Sequence, residues 1–192
     1  MLDLKLVDGE ALFYDQLFSA SESADLFDRL NREIKWRREK IRLYGKEIDI
    51  PRLTAWYGEP GKSYTYSGIS MNPLPWIAPL REIKEKIYEL AGTRFNSVLL
   101  NLYRSGKDGV AWHSDDEPEL GPEPVIGSVS VGGTRLFQLK HKSRKYLERV
   151  EIPLTSGSFL LMRGQTQRHW LHRIPKTKKP AAPRINLTFR VI

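Results

Sequence analysis

Apolar residues recur at helical spacing in two segments of the chain. The first stripe comprises Leu26, Phe27, Leu30 and Ile34, and the second comprises Ile77, Leu80, Ile83, Ile87 and Leu90. Ser19 and Glu22 have the spacing of a capping box, which predicts a first helix over residues 20–35. The second helix is predicted to end at Gly92, because glycine favours the end of a helix.

After Gly92 the pattern changes to short runs of β-branched, aliphatic and aromatic residues between Gly, Pro and Asp, which predicts strands. The predicted strands are 97–103, 125–131, 134–140, 146–154, 158–162 and 184–191, and segments 40–44, 48–57 and 63–67 also have an extended pattern. Two early helices followed by many short strands of antiparallel type favour an α+β fold. We expect a double-sheet roll or barrel in which the N-terminal helices cover the outer face of one sheet.

Composition narrows the chemistry that the chain can perform. The 192 residues are 40% hydrophobic and show neither an internal repeat nor a long linker, which predicts one domain with a core of its own. With no Cys, the chain has no disulfide, no Cys-ligated metal and no Cys nucleophile, so a metal must be bound by Asp, Glu or the four His. No apolar run is long enough to span a membrane, and we expect an intracellular protein.

The positive charge is concentrated late in the chain. The formal net charge is +8, but residues 139–192 carry thirteen Lys and Arg against two acids, a net +11, and the first 138 residues have a net −3. Such a segment predicts a polyanionic partner. Taken singly, the basic run over residues 140–145 and the lysines Lys176, Lys178 and Lys179 are most typical of solvated loops, and they become phosphate contacts only where a site opens beside them. Trp76, Trp112 and Trp170 are interpreted as core aromatics.

One triplet has the spacing of a metal site. His113 and Asp115 are two residues apart in an extended segment, so their side chains are expected to point to the same side. A third ligand is available 56 or 59 residues after His113, at His169 or His172, and spacing alone does not decide between them. Two His and one carboxylate make the facial triad of non-haem Fe(II) oxygenases.

A second feature is the pair of arginines in the last apolar strand. Arg184 and Arg190 are six residues apart and therefore lie on one face of the strand. A buried guanidinium needs an acidic partner and matches a carboxylate in a bidentate manner. This pattern favours a dicarboxylate ligand, although an acid across the sheet is an alternative partner for Arg184.

From about residue 41 to the end, the chain resembles the AlkB family of Fe(II)- and 2-oxoglutarate-dependent nucleic-acid dealkylases. The motifs that match in order are Pro51-Arg52, Tyr64-Thr65-Tyr66-Ser67-Gly68, Pro75-Trp76-Ile77, Asn101-Leu102-Tyr103, His113-Ser114-Asp115-Asp116-Glu117, Ser128-Val129-Ser130, Gly157-Ser158, His169-Trp170-Leu171-His172 and Pro183-Arg184-Ile185-Asn186-Leu187-Thr188-Phe189-Arg190. The resemblance is greatest to the branch that acts on 1-methyladenine and 3-methylcytosine in DNA. It implies one domain over residues 1–192, with an N-terminal extension and nucleotide-recognition lid over about 1–95 and a catalytic jelly-roll, or double-stranded β-helix, over about 96–192.

The resemblance also implies the ligands of iron and of the cosubstrate. It assigns Fe(II) to His113, Asp115 and His172, which leaves His169 as a structural group. It assigns 2-oxoglutarate to Asn101, Tyr103, Arg184, Thr188 and Arg190, with O2 as the second cosubstrate. The implied reaction hydroxylates the N-methyl carbon and releases formaldehyde, succinate and the repaired base.

Further residues are implied for the substrate base. They are Tyr64, Tyr66, Asp116 and Glu117 around the base, Arg52 at the lid over it, and Tyr44 in a hairpin that intercalates into duplex DNA in some relatives. Aromatic rings replace the stacking that an extruded base loses. A carboxylate favours the cationic, N-methylated base, although Asp116 and Glu117 are also placed to support the metal ligands. The acidic residues Glu47 and Asp49 after Tyr44 make a duplex preference doubtful.

Three function classes therefore remain in order of preference. The first is a monomeric enzyme that repairs alkylated DNA, and RNA as a second substrate, in the cytoplasm or nucleoid of a bacterium or the nucleus of a eukaryote. The second is a 2-oxoglutarate oxygenase that hydroxylates a protein or small molecule. The third is a basic nucleic-acid-binding roll without catalysis.

Overall fold

The computed structural model describes residues 1–43, 46–61, 64–66, 69–71 and 73–192. Within these, three helices are α1 (Ala20–Glu33), α2 (Ala78–Ala91) and α3 (Thr166–His169), with a 3₁₀ turn at Pro118–Leu120. The first strands are β1 (Leu2–Asp3), β2 (Glu10–Tyr14), β3 (Lys40–Leu43), β4 (Lys46–Asp49), β5 (Leu53–Gly58), β6 (Tyr64–Tyr66), β7 (Ile69–Met71) and β8 (Ser97–Tyr103). The later strands are β9 (Val110–His113), β10 (Ile126–Gly132), β11 (Arg135–His141), β12 (Val150–Leu154), β13 (Ser158–Arg163), β14 (Trp170–Ile174) and β15 (Arg184–Arg190).

Both predicted long helices are confirmed, together with the residues that limit them. At the start of α1, the Ser19 side chain accepts a hydrogen bond from the Glu22 backbone, and the Glu22 carboxylate accepts one from the Ser19 backbone. Helix α2 ends at Gly92, whose φ of 62° lies in the left-handed region that glycine adopts without strain. None of the described helices combines the length and apolarity needed to cross a bilayer.

Two antiparallel sheets form the body of the protein, which confirms the double-sheet prediction. The larger has the order β1-β2-β13-β10-β15-β8-β5, and the smaller has the order β12-β11-β14-β9. Two separate hairpins, β3 with β4 and β6 with β7, belong to the first half of the chain. This is the arrangement of a jelly-roll with added N-terminal elements.

Alternation along the central strands divides the core into two layers. On β15, Ile185, Leu187 and Phe189 join the apolar cluster that also holds Leu30 of α1 and Ile83 of α2. Helices α1 and α2 thus cover one face of the larger sheet, as predicted. The other face of β15 carries Arg184, Asn186, Thr188 and Arg190, which are all buried and line a cavity between the two sheets. A second apolar cluster closes that space, with Leu99, Phe137 and Leu160 among its members.

Several strand predictions need correction. The strand predicted over 146–154 begins only at Val150, because residues 145–147 form a turn and a bend. The extended segment 48–57 is divided between β4 and β5, and Pro51 in the gap lacks the N–H that a strand ladder uses. Strands β1, β2, β7, β9 and β14 were not predicted. Trp76 and Trp170 are buried, but Trp112, predicted as a core residue, is only half-buried.

Candidate metal and cosubstrate site

The structure brings together the three side chains that were predicted as metal ligands. His113 ends β9 and pairs with His172 of β14 across the smaller sheet. The ladder register shifts next to this pair, as in a β-bulge, and such irregularities re-aim side chains. One donor atom from each of His113, Asp115 and His172 lies within 4.8 Å of the others.

Protonation favours metal binding at these residues. Burial, reinforced by His113 and Arg190, lowers the pKa of His172 to about 3, so its imidazole is neutral at physiological pH. Burial alone would raise the pKa of Asp115, but the charge of Arg190 and the two nearby imidazoles outweigh it and hold that pKa below its usual value. A neutral imidazole and an ionised carboxylate are the forms that bind metals.

Hydrogen bonds also select the atoms that face the metal position. His113 Nδ1 lies 2.9 Å from the Ala111 carbonyl, which can only accept, so Nδ1 carries the proton and Nε2 keeps its lone pair. Asp115 Oδ1 accepts a hydrogen bond of 2.7 Å from Arg190 Nη2, and Asp115 Oδ2 lies 3.9 Å from His172 Nε2. Each of the three side chains therefore presents a defined donor atom.

Gln167 is a residue of the site that sequence reasoning missed. Its Oε1 accepts a hydrogen bond of 3.0 Å from the Asp115 backbone N–H. The residue is 1% exposed and lies on α3, whose Thr166 hydroxyl donates to the Glu10 carbonyl of β2. A Gln in a four-residue helix leaves no periodic signal in a sequence. Its burial could have been inferred only from the position of α3 beside β13 and β14.

Beyond the triad, the cavity is lined by the polar face of β15 and by Asn101 and Tyr103 of β8. Arg184 is 1% exposed, and its Nη2 donates to Ser130 Oγ at 2.9 Å. Its Nε and Nη1 are buried and make no hydrogen bond. Burial, with a further contribution from Arg135, lowers the pKa of Arg184 to about 10, so it remains a cation with two open donors. A carboxylate is the group that satisfies such a fork.

The other residues predicted for the cosubstrate lie on the same wall. Asn101 Oδ1 accepts a hydrogen bond of 2.6 Å from Arg52 Nε, and Thr188 Oγ1 donates to Asn186 Oδ1 at 3.2 Å. Tyr103 lies beside Arg184, with the guanidinium carbon 5.2 Å from the ring centroid. All of them line the cavity that also contains the triad.

The residues predicted for the substrate base differ in burial and in hydrogen bonding. Arg52, predicted at the lid, is 5% exposed and lines both the cavity and an open groove beside it. Asp116 is exposed, and its Oδ2 accepts hydrogen bonds from Ser114 Oγ and from Lys142 Nζ at 2.7 and 3.0 Å. Glu117 has a buried Oε2 that finds no hydrogen-bond partner among the described residues. Tyr64 and Tyr66 belong to β6, but their side chains, and Tyr44 altogether, lie outside the described residues.

The open groove begins at the metal ligands and leads to the protein surface. Arg52, Val110 and His113 line it as well as the cavity, so the two spaces adjoin. Trp112 and Arg173 form another part of its wall. The groove therefore runs from His113 past Trp112 and Arg173.

His169, the alternative third ligand, belongs to a different cluster, with Asp8 and His141. His141 Nδ1 accepts a hydrogen bond of 3.0 Å from the Arg144 backbone, so the proton of a neutral ring is on Nε2, which faces Asp8 Oδ2 at 3.4 Å. Asp8 also binds Arg144 at 2.8 Å. The donor atoms of this cluster also lie within 4.8 Å of one another, but the Asp8 carboxylate is already paired with Arg144. The cluster ties the N-terminal segment to β11.

Comparison with known proteins identifies the class. A family model described as the 2OG-Fe(II) oxygenase superfamily matches residues 10–190, so the chain belongs to this superfamily. It is 46% identical over 179 residues to "Alpha-ketoglutarate-dependent dioxygenase alkB homolog 3" of Bos taurus, which covers 89% of this chain and 62% of that protein. It is 39% identical over 188 residues to "DNA oxidative demethylase ALKBH2" of Homo sapiens, which covers 93% of this chain and 72% of that protein. Within the superfamily, the chain is thus an AlkB-family protein.

The chain spans somewhat less than two thirds of the length of the alkB homolog 3 proteins that it matches. A solved structure described as "The structure of OsALKBH1" has a TM-score of 0.69 at 15% identity, over 98% of this chain and 99% of that chain, which supports the fold. Proteins of this superfamily use Fe(II) and 2-oxoglutarate with O2. The residues present fit both groups. The imidazoles of His113 and His172 and the carboxylate of Asp115 suit a metal ion, and the two open donors of the buried Arg184 suit a carboxylate.

Proposed function

We propose that the protein is an Fe(II)- and 2-oxoglutarate-dependent dioxygenase that removes N-methyl groups from 1-methyladenine and 3-methylcytosine in DNA, with RNA as a second substrate. The observation that carries this proposal is the single cavity that joins the His113, Asp115 and His172 donors to the open guanidinium of Arg184. Relatives at 38–40% identity are named as DNA oxidative demethylases, which supports DNA as the substrate class.

When bound, Fe(II) would couple the oxidative decarboxylation of 2-oxoglutarate to succinate and CO2, with O2 as the oxidant, to hydroxylation of the N-methyl carbon. That carbon then leaves the base as formaldehyde. The protein's own residues hold the reactants in place. His113, Asp115 and His172 bind the metal, Arg184 binds the distal carboxylate of the cosubstrate, and Arg190 keeps the Asp115 carboxylate in one orientation. Such fixed placement is the main contribution that a protein makes to chemistry performed by a cofactor.

Selection of the damaged base is assigned to the acidic residues after the triad. Methylation at N1 of adenine or N3 of cytosine makes the base cationic, so a carboxylate stabilises it more than the neutral base. Glu117 supports this role better than Asp116 does, because its Oε2 is buried without a partner, whereas Asp116 already binds Lys142. Tyr64 and Tyr66 are proposed to stack on the extruded base.

The partner and location follow from the same proposal. The net +11 of residues 139–192 supports a polyanionic partner, and a DNA substrate implies an intracellular enzyme, in the nucleus if the source is a eukaryote. We propose that it acts as a monomer, since one chain supplies the complete His, Asp, His set and the arginines of the cavity.

A lesion assay tests the proposal. The protein is incubated with Fe(II), 2-oxoglutarate, ascorbate and oligonucleotides that carry 1-methyladenine, in single-stranded DNA, duplex DNA and RNA, and formaldehyde and repaired base are measured. We expect both products in equal amounts from at least the single-stranded DNA. If succinate forms but none of the three oligonucleotides yields repaired base, the proposal is contradicted and hydroxylation of a protein or small molecule is favoured.

A further inference from the structure

Three cations surround Trp112 on the outer face of the smaller sheet. Lys140 Nζ lies 4.5 Å from a Trp112 ring centroid, and the guanidinium carbons of Arg173 and Arg149 lie 4.4 and 5.8 Å from it. We call Lys140, Arg149 and Arg173, with the indole between them, the cation ladder. The three cations come from different parts of the sheet: from β11, from the residue before β12, and from β14.

The alternation of the strands explains why these side chains meet. His113 and His172 face the cavity, so their neighbours Trp112 and Arg173 point to the opposite face. A hydrogen bond of 2.7 Å from Arg173 Nε to Gln138 Oε1 further fixes the guanidinium. The same strands therefore present metal ligands on one face and the ladder on the other.

The positive charges of the ladder make no direct ion pair within the described residues. One acid, Glu151, lies beside the ladder and accepts a hydrogen bond from the Gln138 amide, whose oxygen accepts the bond from Arg173. Among those residues, no carboxylate lies within 4.0 Å of a nitrogen of Lys140, Arg149 or Arg173. Lys142, two residues after Lys140, differs in this respect, because it binds Asp116 at 3.0 Å. Three neighbouring cations repel one another, and cation–π contacts offset only part of that cost. The arrangement becomes favourable when an anionic partner binds.

The Trp112 indole orders the three cationic side chains that pack against it. Because cations lie against the Trp112 rings, the residue is poorly suited to stacking on a nucleobase, and it limits instead the freedom of three long side chains. Side chains that are ordered before binding lose less entropy on binding. Trp112 and Arg173 also line the groove that leads to His113. The ladder thus begins at the entrance of the site.

We propose that the cation ladder binds consecutive phosphates of the substrate strand as it leaves the entrance of the site. This inference rests on the proposed function, since it assigns the ladder to the polynucleotide whose modified base is at the triad. The proposed partner of the ladder is the sugar–phosphate backbone of a single strand. Its negative charge complements the three cations, and contacts to it carry no sequence information.

The test measures how binding depends on salt. Affinity for a labelled single-stranded oligonucleotide with one 1-methyladenine is measured without oxygen, with Fe(II) and 2-oxoglutarate present, over a range of salt concentrations. The double variant Lys140→Ala/Arg149→Ala should lower the slope of log affinity against log salt by about 1.4, because each phosphate contact on a single strand contributes about 0.7. Trp112→Leu retains all three charges, and should weaken binding by about two- to fivefold with a smaller change of slope.

Arg32→Ala is the matched control. Arg32 is an exposed cation in the last turn of α1, and α1 packs on the other sheet. Its loss should leave the slope at the parent value. The proposal is overturned if the double variant has the parent slope, or if Arg32→Ala lowers the slope as much per charge.

The lesion assay separates this proposal from the function on which it rests. If repaired base forms and the double variant has the parent slope, the enzyme function stands and the ladder proposal is wrong. If no lesion is repaired but the slope still depends on the ladder, the surface binds polyanions and the proposed function is wrong. Thermal unfolding of each variant shows whether the protein is folded, so that a weaker affinity can be attributed to the lost contact.

Discussion

Arg190 Nη2 donates a hydrogen bond of 2.7 Å to Asp115 Oδ1, so the last arginine of β15 holds the carboxylate of the proposed metal triad. Arg184, six residues earlier on the same face, has no such acidic neighbour in the described part of the chain, and two of its nitrogens make no hydrogen bond there. The two arginines look equivalent in the sequence, but their surroundings assign them different tasks.

The first prediction separates these tasks. Arg184→Met should raise KM for 2-oxoglutarate by about 10- to 150-fold, because a charged hydrogen-bonding partner of the cosubstrate is lost. Arg190→Met should in addition weaken metal binding, since Asp115 loses the group that orients it. KM is obtained from succinate formation, and metal affinity from titration with Co(II) followed by absorption. Equal metal affinities for both variants would show that Arg190 does not support Asp115.

The second prediction concerns two adjacent acids. Asp115→Asn should abolish turnover and reduce Co(II) binding strongly, because the amide lacks the charge that a divalent metal requires. Asp116→Asn is the matched control and should retain Co(II) binding, since Asp116 is exposed and binds Ser114 and Lys142. Near-normal turnover of Asp115→Asn would refute the metal triad.

The third prediction tests Gln167 as a positioning residue. Gln167→Leu removes the acceptor of the Asp115 backbone N–H, and residues that support metal ligands in this way contribute about 10- to 100-fold to metal affinity. We expect a loss of that size in Co(II) titration, together with an altered Co(II) absorption spectrum. Gln165→Ala, an exposed change in the residue before α3, should leave both unchanged. An unaltered spectrum for Gln167→Leu would leave that residue with a packing role only.

The fourth prediction concerns acid stability at the start of α1. A hydrogen bond from the Ser19 backbone lowers the pKa of Glu22 from 4.5 to about 2. Because the folded pKa is the lower one, the stabilisation is complete above about pH 4.5 and is lost as pH falls towards 2. Glu22→Gln should therefore lower the free energy of unfolding at pH 7, and the difference from the parent should disappear near pH 2. Urea unfolding across this range measures it, and a difference that is constant with pH would contradict the assignment.

The periodic parts of the fold could be predicted from the sequence, because they depend on local spacing. The stripe from Ile77 to Leu90 and the stop at Gly92 determine α2 without reference to other elements. Strand β14 could not be found in this way. It is five residues long, follows directly on α3, and owes its existence to pairing with β9 and β11, which are distant in sequence.

The same limit applied to the site. The spacing from His113 admitted both His169 and His172, and only the change from helix to strand at Trp170 places His172 opposite His113. Gln167 and the unequal roles of Arg184 and Arg190 likewise depend on contacts between distant segments. Charge counting merged cations of different kinds. Arg190 binds Asp115 and Lys142 binds Asp116, whereas Lys140, Arg149 and Arg173 make no direct ion pair among the described residues.

The division of β15 between two faces limits how the sequence of this strand can change in evolution. Each side chain of this strand belongs either to the apolar layer under the helices or to the wall of the cavity. A shift of its register by one residue would exchange the two sets, so that the arginines would enter the core and Phe189 the cavity. A single substitution in β15 affects one of these two sets, but an inserted or deleted residue removes stability and chemistry together. We therefore expect length variation among homologues in the loops that flank this strand and not within it.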